Sequence, residues 1–453
     1  MDILKDEKKQ SLVEKDQQNV WHHMSRHEKN KSPIIGTDGK GSWITDHNGN
    51  RYLDGMSGLW CVNVGYGREE LAQAAYDQLK QLAYMPLSQS HVPAIELAEK
   101  LNDMLQDDYM IFYSNSGSDA NEVAFKMVRQ YHQQNDNPSK RKIISRYRAY
   151  HGNSAGALSA TGQAQRKIKY EPLSDGFLHV SPPDNYRRPS GQSVEQHNLQ
   201  CAEELEKKII WEHPDTIAAV IMEPTITGGG VLIPHRVYVE KVQEICRRHG
   251  VLLIIDEVIC GFGRTGKLFG HMHYDINPDI ITMAKGLTSA YLPLSVTAVR
   301  KDIYEAFKKD GDVNHFRHVN TFGGNPAACA VALKNIEIME NENLVSRSSV
   351  LGERLYNGLQ ELMEHKNVGD VRSQGLLFAI EIVNDKKTKE PASSALLSKV
   401  IGECKANGLI IAKNGDTVAG FDNILTLCPP LASTDEDIDF IISVVKKAFK
   451  TVN

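Results

Sequence analysis

Three charged residues close three apolar runs in the middle of the chain. IAAVIME ends at Glu223, VLLIID at Asp256 and DIITMAK at Lys285. An amine held beside a carboxylate can attack a carbonyl, move a proton, or do both. One charged residue closing an apolar run is usually just solvated, and each of the three alone is best read that way. Three at one edge, of opposite sign, are harder to dismiss. A fourth feature lies upstream in MIFYSNSGSDANEVAFKMVRQY (110–131). There Ser116-Gly117-Ser118 precedes Ala120, Val123, Ala124, Met127, Val128 and Tyr131, spaced by threes and fours. Exposed N–H groups, two hydroxyls and the positive end of a helix dipole converge on such a turn, which suits an anion. Plain capping by Ser118 or Asp119 explains the same residues equally well. No Walker lysine follows at P-loop spacing, which argues against a nucleoside triphosphate.

Residues 254–267, IIDEVICGFGRTGK, carry a rival signal. Gly261, Gly263 and Gly266 spell G-x-G-x-x-G behind an apolar strand, the pattern of a dinucleotide-binding loop. In that fold the first glycine follows its strand at once, and a helix starts within the motif. Here residues 257–260 intervene, and KLFGHMHYDINP after the last glycine has no helical apolar stripe. The glycines read as a tight loop, and the chemistry falls to Asp256.

The elements that must position these residues follow from periodicity. The runs at 217–223, 251–256 and 279–285 are strand-length, and 236–249 carries Val239, Val242 and Cys246 on one helical face. A strand–helix–strand crossover makes neighbouring strands parallel. Their carboxyl ends then share one edge of the sheet, where open α/β sheets bind ligands. Strands alternate with amphipathic helices from about Leu59 to Ala330, which predicts an α/β large domain with a mostly parallel sheet flanked by helices. A long helical stretch and mixed elements after Ala330 predict a smaller α+β domain. WITDHNGNRYLDG (43–55) turns at Asn48-Gly49 as a hairpin, and residues 1–31 read as a polar helix with frayed ends. The boundaries follow: 1–58 for an N-terminal segment joining the small domain, 59–334 for the large domain, 335–453 for the small one. LSDGFLHVSPPDNYRRPSGQS (173–193) is one long turn-rich stretch, either functional or flexible.

A lysine at a strand end, a carboxylate on the next strand and an anion cup point to pyridoxal 5′-phosphate (PLP). Its aldehyde takes a lysine as a Schiff base, its pyridine nitrogen needs an acid to stay protonated, and its phosphate needs an anion site. Tyr150, in RAYHG after the predicted strand 142–145, offers an aromatic ring for one face. With these residues assembled, the chain resembles a class III aminotransferase of the ω-amino acid/amine–pyruvate type, in the PLP fold-type I group. The resemblance is carried by DGMSGLWCVNVGYG (54–67), NSGSDANE (115–122), YHG (150–152), MEP (222–224), IIDEVICGFGRTG (254–266), DIITMAKGL (279–287) and NTFGGNP (320–326), in this order. It implies Lys285 as the Schiff-base lysine and proton shuttle, and Asp256 on the pyridine nitrogen. It implies Ser116, Gly117 and Ser118 at the phosphate, Tyr150 and Val258 on opposite ring faces, and Glu223 near the 3-hydroxyl side. Thr321 matches a threonine that reaches the phosphate of the partner subunit, so a homodimer with shared sites is implied. His151 joins the cofactor group, with a hydrogen-bonded core histidine as the plainer reading. Leu59, Trp60 and Tyr150 are pocket residues, with a buried structural role as the rival for Trp60. The implied partners are a small-molecule amine donor and a 2-oxo acid acceptor.

SGLWCVNVGYG is similar to the branch acting on β-alanine, taurine and other ω-amines with pyruvate. The biotin-pathway branch, adenosylmethionine-8-amino-7-oxononanoate aminotransferase, usually shows two adjacent tryptophans where this chain has Leu59-Trp60. It stays as one alternative, and a PLP aminomutase, which shares nearly every motif, as another. Many ω-amine enzymes carry a mobile arginine before the C-terminal Pro-Pro. Residues 409–430, LIIAKNGDTVAGFDNILTLCPP, hold no arginine, and Lys413 is their one cation. An ammonium is a poorer bidentate partner for a carboxylate. Arg187 or Arg188, in PPDNYRRP, could substitute, with a surface-loop role as the rival for each.

Composition excludes other classes. A net charge of −5, from 52 basic and 57 acidic side chains, leaves no footprint for nucleic acid or an anionic membrane. The seven cysteines are scattered, with no C-x-x-C and no cluster at metal-ligand spacing. The longest apolar runs are strand-length, and MDILKDEKKQ has no apolar h-region, so a cytoplasmic location is expected.

Overall fold

The computed structural model describes residues 2–25, 33–414 and 417–452. Its central sheet has seven strands in the order Tyr109–Ser114, Ser295–Arg300, Ile280–Met283, Leu252–Asp256, Ile217–Met222, Lys142–Arg146, Phe177–Val180. Ser295–Arg300 runs antiparallel to both neighbours, and every other pair is parallel. The three runs that end in charged residues are therefore adjacent. Register sets Ile254 against Ile221 on one side and Ile280 on the other.

Alternation along the strands explains why both faces are covered. Ile143, Ala219, Ile221 and Ile254 enter a core shared with the helix Gly117–Gln134. Ile144, Val220, Leu253 and Ile255 enter a second core with the helices Val194–Trp211 and Arg236–Arg248. Strands buried on both faces read as unbroken apolar runs, and Ile217–Met222 is buried at every position. On the helix Arg236–Arg248, Val239, Val242 and Ile245 are fully buried, and each contributes about 1.5–3 kcal/mol. A charge at Val242 would break that packing.

Gly36–Lys40, Trp43–Asp46 and Arg51–Asp54 form an antiparallel meander. Its second turn is made by Asp46, whose Oδ1 accepts the N–H groups of Asn48 and Asn50 at 2.9 Å each, and by Gly49 at φ +85°. The last of these strands pairs in parallel with Leu409–Ile410, which ties the meander to the C-terminal part of the chain. There Val368–Gln374, Leu377–Asp385, Ile424–Leu427 and Ala412–Lys413 form an antiparallel sheet. The polar N-terminal helix spans Asp2–Asn19; residues 1 and 26–31 of that expectation lie outside the described residues.

Three local expectations change. The helix Pro326–Asn341 begins before Ala330, because Asn325 Oδ1 accepts the Ala327 and Ala328 N–H groups and Pro326 presets the first turn. It runs unbroken through the boundary read at 334/335. Residues 173–193 are neither a free loop nor all turn: Phe177–Val180 forms the sheet edge, and Asp184 pairs with Arg148 at 2.5 Å. Four residues are too few for alternation to show in sequence. Strand 279–285 is shorter than read, ending at Met283. The glycine loop behaves as read. No α-helix follows it, only a short 3-10 turn at Gly270–His273, and Gly263 and Gly266 turn at φ +84° and +85° against Leu431 and Ser349.

Candidate active site

The carboxyl edge of the sheet opens into a cavity of ≈ 440 Å³. Leu59, Ser116, Gly117, Ser118, Tyr150, His151, Glu223, Asp256, Val258 and Lys285 all line it. Trp60 stands just behind the wall, its ring centroid 6.0 Å from Lys285 Nζ, and it packs on a small apolar cluster around Cys260 and Cys428. Thr321 is exposed on the approach to the helix Pro326–Asn341, outside the cavity of its own chain, where its carbonyl accepts the Tyr84 hydroxyl at 2.9 Å.

Asp256 ends its strand 3 % exposed and is held by three donors. Oδ2 accepts from Asn121 Nδ2 at 2.9 Å and lies 2.8 Å from His151 Nδ1; Oδ1 accepts the Val258 N–H at 3.0 Å. A carboxylate only accepts, so His151 carries a proton on Nδ1. Its Nε2 is buried without a partner. Asn121 is fixed in turn, because its Oδ1 accepts the Thr282 hydroxyl at 2.8 Å. Oδ1 of Asp256, with one donor, keeps room for another N–H. Glu223 is also sealed. It accepts the Tyr150 N–H at 3.1 Å and the Thr227 N–H and hydroxyl at 3.0 and 2.7 Å. Burial raises its carboxyl above the usual range, against the opposing pull of His151, and the Asp256 charge adds to the rise. Burial likewise raises the Tyr150 phenol.

Lys285 follows Met283 by two residues at φ +47°, a left-handed conformation that costs a lysine about 1–3 kcal/mol. The turn is pinned from behind, where Asn335 Nδ2 donates to the carbonyls of Gly286 and Leu287 at 2.9 and 3.0 Å. At the anion cup the cap is Ser116, in place of Ser118 or Asp119. Ser116 Oγ accepts the Asp119 N–H, and Asp119 Oδ2 accepts the Ser116 N–H. The first-turn N–H groups of Gly117 and Ser118 have no intrahelical partner and belong to residues lining the cavity. The Ser118 hydroxyl exchanges hydrogen bonds with Asn153 at 3.2–3.3 Å. A Cβ on Gly117 would stand 2.9 Å from Val258 Cγ1, so this glycine keeps the space beside Val258 open.

The residues proposed to replace a missing arginine are not brought here. Arg187 forks onto Glu381 at 2.9 and 2.7 Å, and Arg188 donates to the carbonyls of Gln192 and Asn185. Both are half-buried and tied, so neither is a free surface-loop residue. Lys413 is also outside the cavity wall. The segment before Pro429 is clamped, with Phe421 between the guanidinium groups of Arg148 and Arg187 at 4.9 and 5.2 Å. Sequence reasoning missed Asn121, Thr282 and Cys61. Asn121 left a trace: it lies four residues after Gly117 and three before Ala124, so an amide had to be satisfied on the buried face of that helix.

These groups suit PLP: an amine, a fixed carboxylate with a free lone pair, a helix N-terminus for a phosphate, and Tyr150 and Val258 in the same cavity wall. Together with the sheet they define a PLP-dependent transferase of fold type I. The model of the aminotransferase class-III family matches residues 24–449, and the chain belongs to that family, whose cofactor is PLP. An uncharacterised aminotransferase of Bacillus subtilis, YhxA, is 61% identical over 443 residues, which cover 98% of this chain and 97% of the other. A taurine–pyruvate aminotransferase of Bilophila wadsworthia is 44% identical over 448 residues, 98% of each chain. The crystal structure of the ω-transaminase from Pseudomonas jessenii in complex with PMP superposes with a TM-score of 0.93 at 36% identity, over 97% of this chain and 98% of that one. The chain is therefore a transaminase, taking an amine donor and an oxo acid acceptor. Among the described residues no helix is long and apolar enough to cross a membrane, and no group of three His, Cys, Asp or Glu could hold a metal ion.

Proposed function

We propose that this transaminase moves the amino group of an ω-amino acid or ω-amino sulfonate, such as β-alanine or taurine, to pyruvate. The observation that carries this reading is Leu59. It stands in the cavity wall, 63 % exposed, where a second tryptophan would mark the biotin-pathway branch. Full-length likeness to a taurine–pyruvate aminotransferase supports it.

PLP, when bound, supplies a carbonyl carbon that takes up the amino group and a ring that spreads the charge left on the donor carbon. Lys285 is the attachment point. With the cofactor bound, a freed Nζ would be the base placed to take the proton from the amino-bearing carbon of the donor and to hand it on, the same group serving both half-reactions. Asp256 Oδ1 would hold the ring nitrogen's proton, with Asn121 and His151 fixing the carboxylate. The Gly117 and Ser118 N–H groups and the Ser116 and Ser118 hydroxyls would receive the phosphate. Tyr150 and Val258 would hold the ring, and Glu223 would serve its 3-hydroxyl side. Leu59, Trp60 and Tyr150 limit the donor.

The same reading includes a homodimer in which Thr321 of one subunit reaches the phosphate of the other site. Exposed Val319, Phe322, Tyr84 and Leu87 surround Thr321, a cluster that a second copy would cover. It also includes a cytoplasmic setting, in keeping with seven free cysteines.

A donor panel of β-alanine, taurine, a benzylic amine and S-adenosylmethionine, each against pyruvate and 2-oxoglutarate, tests the substrate. The yellow holoenzyme should bleach with β-alanine or taurine and recover colour with pyruvate. Preference for S-adenosylmethionine would move the enzyme to the biotin branch, and turnover without any oxo acid would make it an aminomutase.

A further inference from the structure

On that reading donor and acceptor each carry an anion, and an anion taken into a cavity needs a cation. The arginines near the cavity divide by their partners. Arg148 pairs with Asp184, Arg187 with Glu381, and Arg372 with Asp370 and Glu381. Among the described residues Arg146 and Arg264 have no acid partner, but they are sealed in the core, Arg146 against the Glu223 carbonyl and Arg264 on Pro429 O and Asn63 Oδ1.

Arg166 is different. It ends the short turn Ala164–Arg166 and is half-buried. Its guanidinium carbon lies 5.0 Å from the centroid of the Tyr150 ring, which lines the cavity. Nε donates to Gln163 Oε1 at 2.6 Å, and Gln163 is itself fully buried and fixed by donating to Arg148 O at 2.9 Å. Nη1 meets the Met24 sulfur at 3.7 Å, a weak acceptor. Among the described residues no carboxylate lies within ion-pair distance of this guanidinium. The turn itself is held to the C-terminal segment by Gln165 N–H to Thr417 O at 3.1 Å. A neutral amide thus fixes one edge of the guanidinium, and among the described residues its two-pronged end meets no acid.

We propose that Arg166 receives the substrate anion: the carboxylate of the oxo acid in one half-reaction, and the distal carboxylate or sulfonate of the donor in the other. The planar fork matches both groups. In pyruvate the anionic group is bonded to the reacting carbon; in β-alanine or taurine it is one carbon further away. A long side chain, tethered by Gln163 and packed on the Tyr150 ring, would have to swing into the cavity by rotating its side-chain torsions to meet both lengths.

The test uses holoenzyme carrying Arg166→Met or Arg166→Lys. Unreactive propionate and ethanesulfonate are titrated calorimetrically, and KM and kcat are measured for β-alanine, taurine, pyruvate and an uncharged amine from the panel. Arg166→Met should weaken both probes and raise KM for the charged substrates about tenfold or more, as expected for loss of a charge-assisted pair. It should leave kcat/KM for the uncharged amine within about twofold in the pyruvate-saturated reaction. Arg166→Lys should recover part of the loss, and an unchanged melting temperature confirms folding. Wild-type affinity for propionate in Arg166→Met, or an equal loss on charged and uncharged amines, overturns the assignment. A wild-type enzyme that turns over neither β-alanine nor taurine sinks the substrate reading instead, and probe binding still decides Arg166.

Discussion

The Nδ1 of His151 lies 2.8 Å from Oδ2 of Asp256, and neither side chain is more than 3 % exposed. A buried carboxylate is tolerable only if its oxygens are satisfied. This one accepts from two side chains and one backbone N–H, so its charge is held in one place.

Replacing Asp256 by Asn removes the charge and keeps the shape. If an ionised neighbour raises the ring-nitrogen pKa by one to three units, the loss in kcat is about 10- to 1000-fold. His151→Ala costs less. The two changes act through one carboxylate, so the double variant should lose less than the product of the singles. Steady-state kinetics on the four proteins measures the coupling; full additivity would show that His151 does not act through Asp256.

Lys285→Ala should lower kcat by about 1000-fold or more, since it removes both the attachment point and the general base. Cofactor should still bind noncovalently, held by the cup and Asp256. Borohydride reduction followed by peptide mapping should label position 285 in the wild type and nothing in the variant. A label elsewhere would displace Lys285 from its role.

Gly117→Ala puts a methyl 2.9 Å from Val258 Cγ1 and 3.0 Å from its Cγ2. Overpacking of this kind costs about 1–3 kcal/mol, so cofactor affinity should fall about 5- to 150-fold. Val258→Ala in the same chain should restore much of it. Cofactor titration of the apoenzyme reads the change, and an unaffected single variant would show that the slot has slack.

His179 provides a pH test away from the site. Burial first, then the nearby Lys167, lower its pKa from 6.5 to about 4, and its ring stacks on Tyr147. The neutral form is thus favoured in the folded chain. As pH falls below 6.5 the unfolded chain takes up a proton that the native one refuses. Stability therefore drops between about pH 6.5 and pH 4, by up to about 3 kcal/mol, with no further loss from this group below that window. Urea unfolding at pH 7 and pH 5 should show a shallower pH slope in His179→Gln. An unchanged slope would assign the acid sensitivity to other groups.

Much of the site was legible because each part is local. Lys285, Asp256 and Glu223 announce themselves as charges closing apolar runs, and the Ser-Gly-Ser turn sits directly before a helical stripe. Phe177–Val180 was not legible, because four residues between turns carry too little periodicity. Arg187 looked like a loop residue because nothing local reveals that Glu381, 194 residues away, waits for it, whereas Arg188 folds back on the nearby carbonyls of Asn185 and Gln192.

The amino-acid sequence by itself determined the chemistry available and the order in which strands and helices present it. Burial periodicity is a property of neighbouring residues, so it can be read without the fold. Only the tertiary structure decided which polar groups meet. Asn121 reaches Asp256 across 135 residues, Arg264 reaches Asn63 across 201, and Arg166 comes to lie over the Tyr150 ring. Such pairings are set by how whole elements pack, and a buried hydrogen bond forms wherever packing brings a donor to an acceptor, however far apart the two lie in the chain.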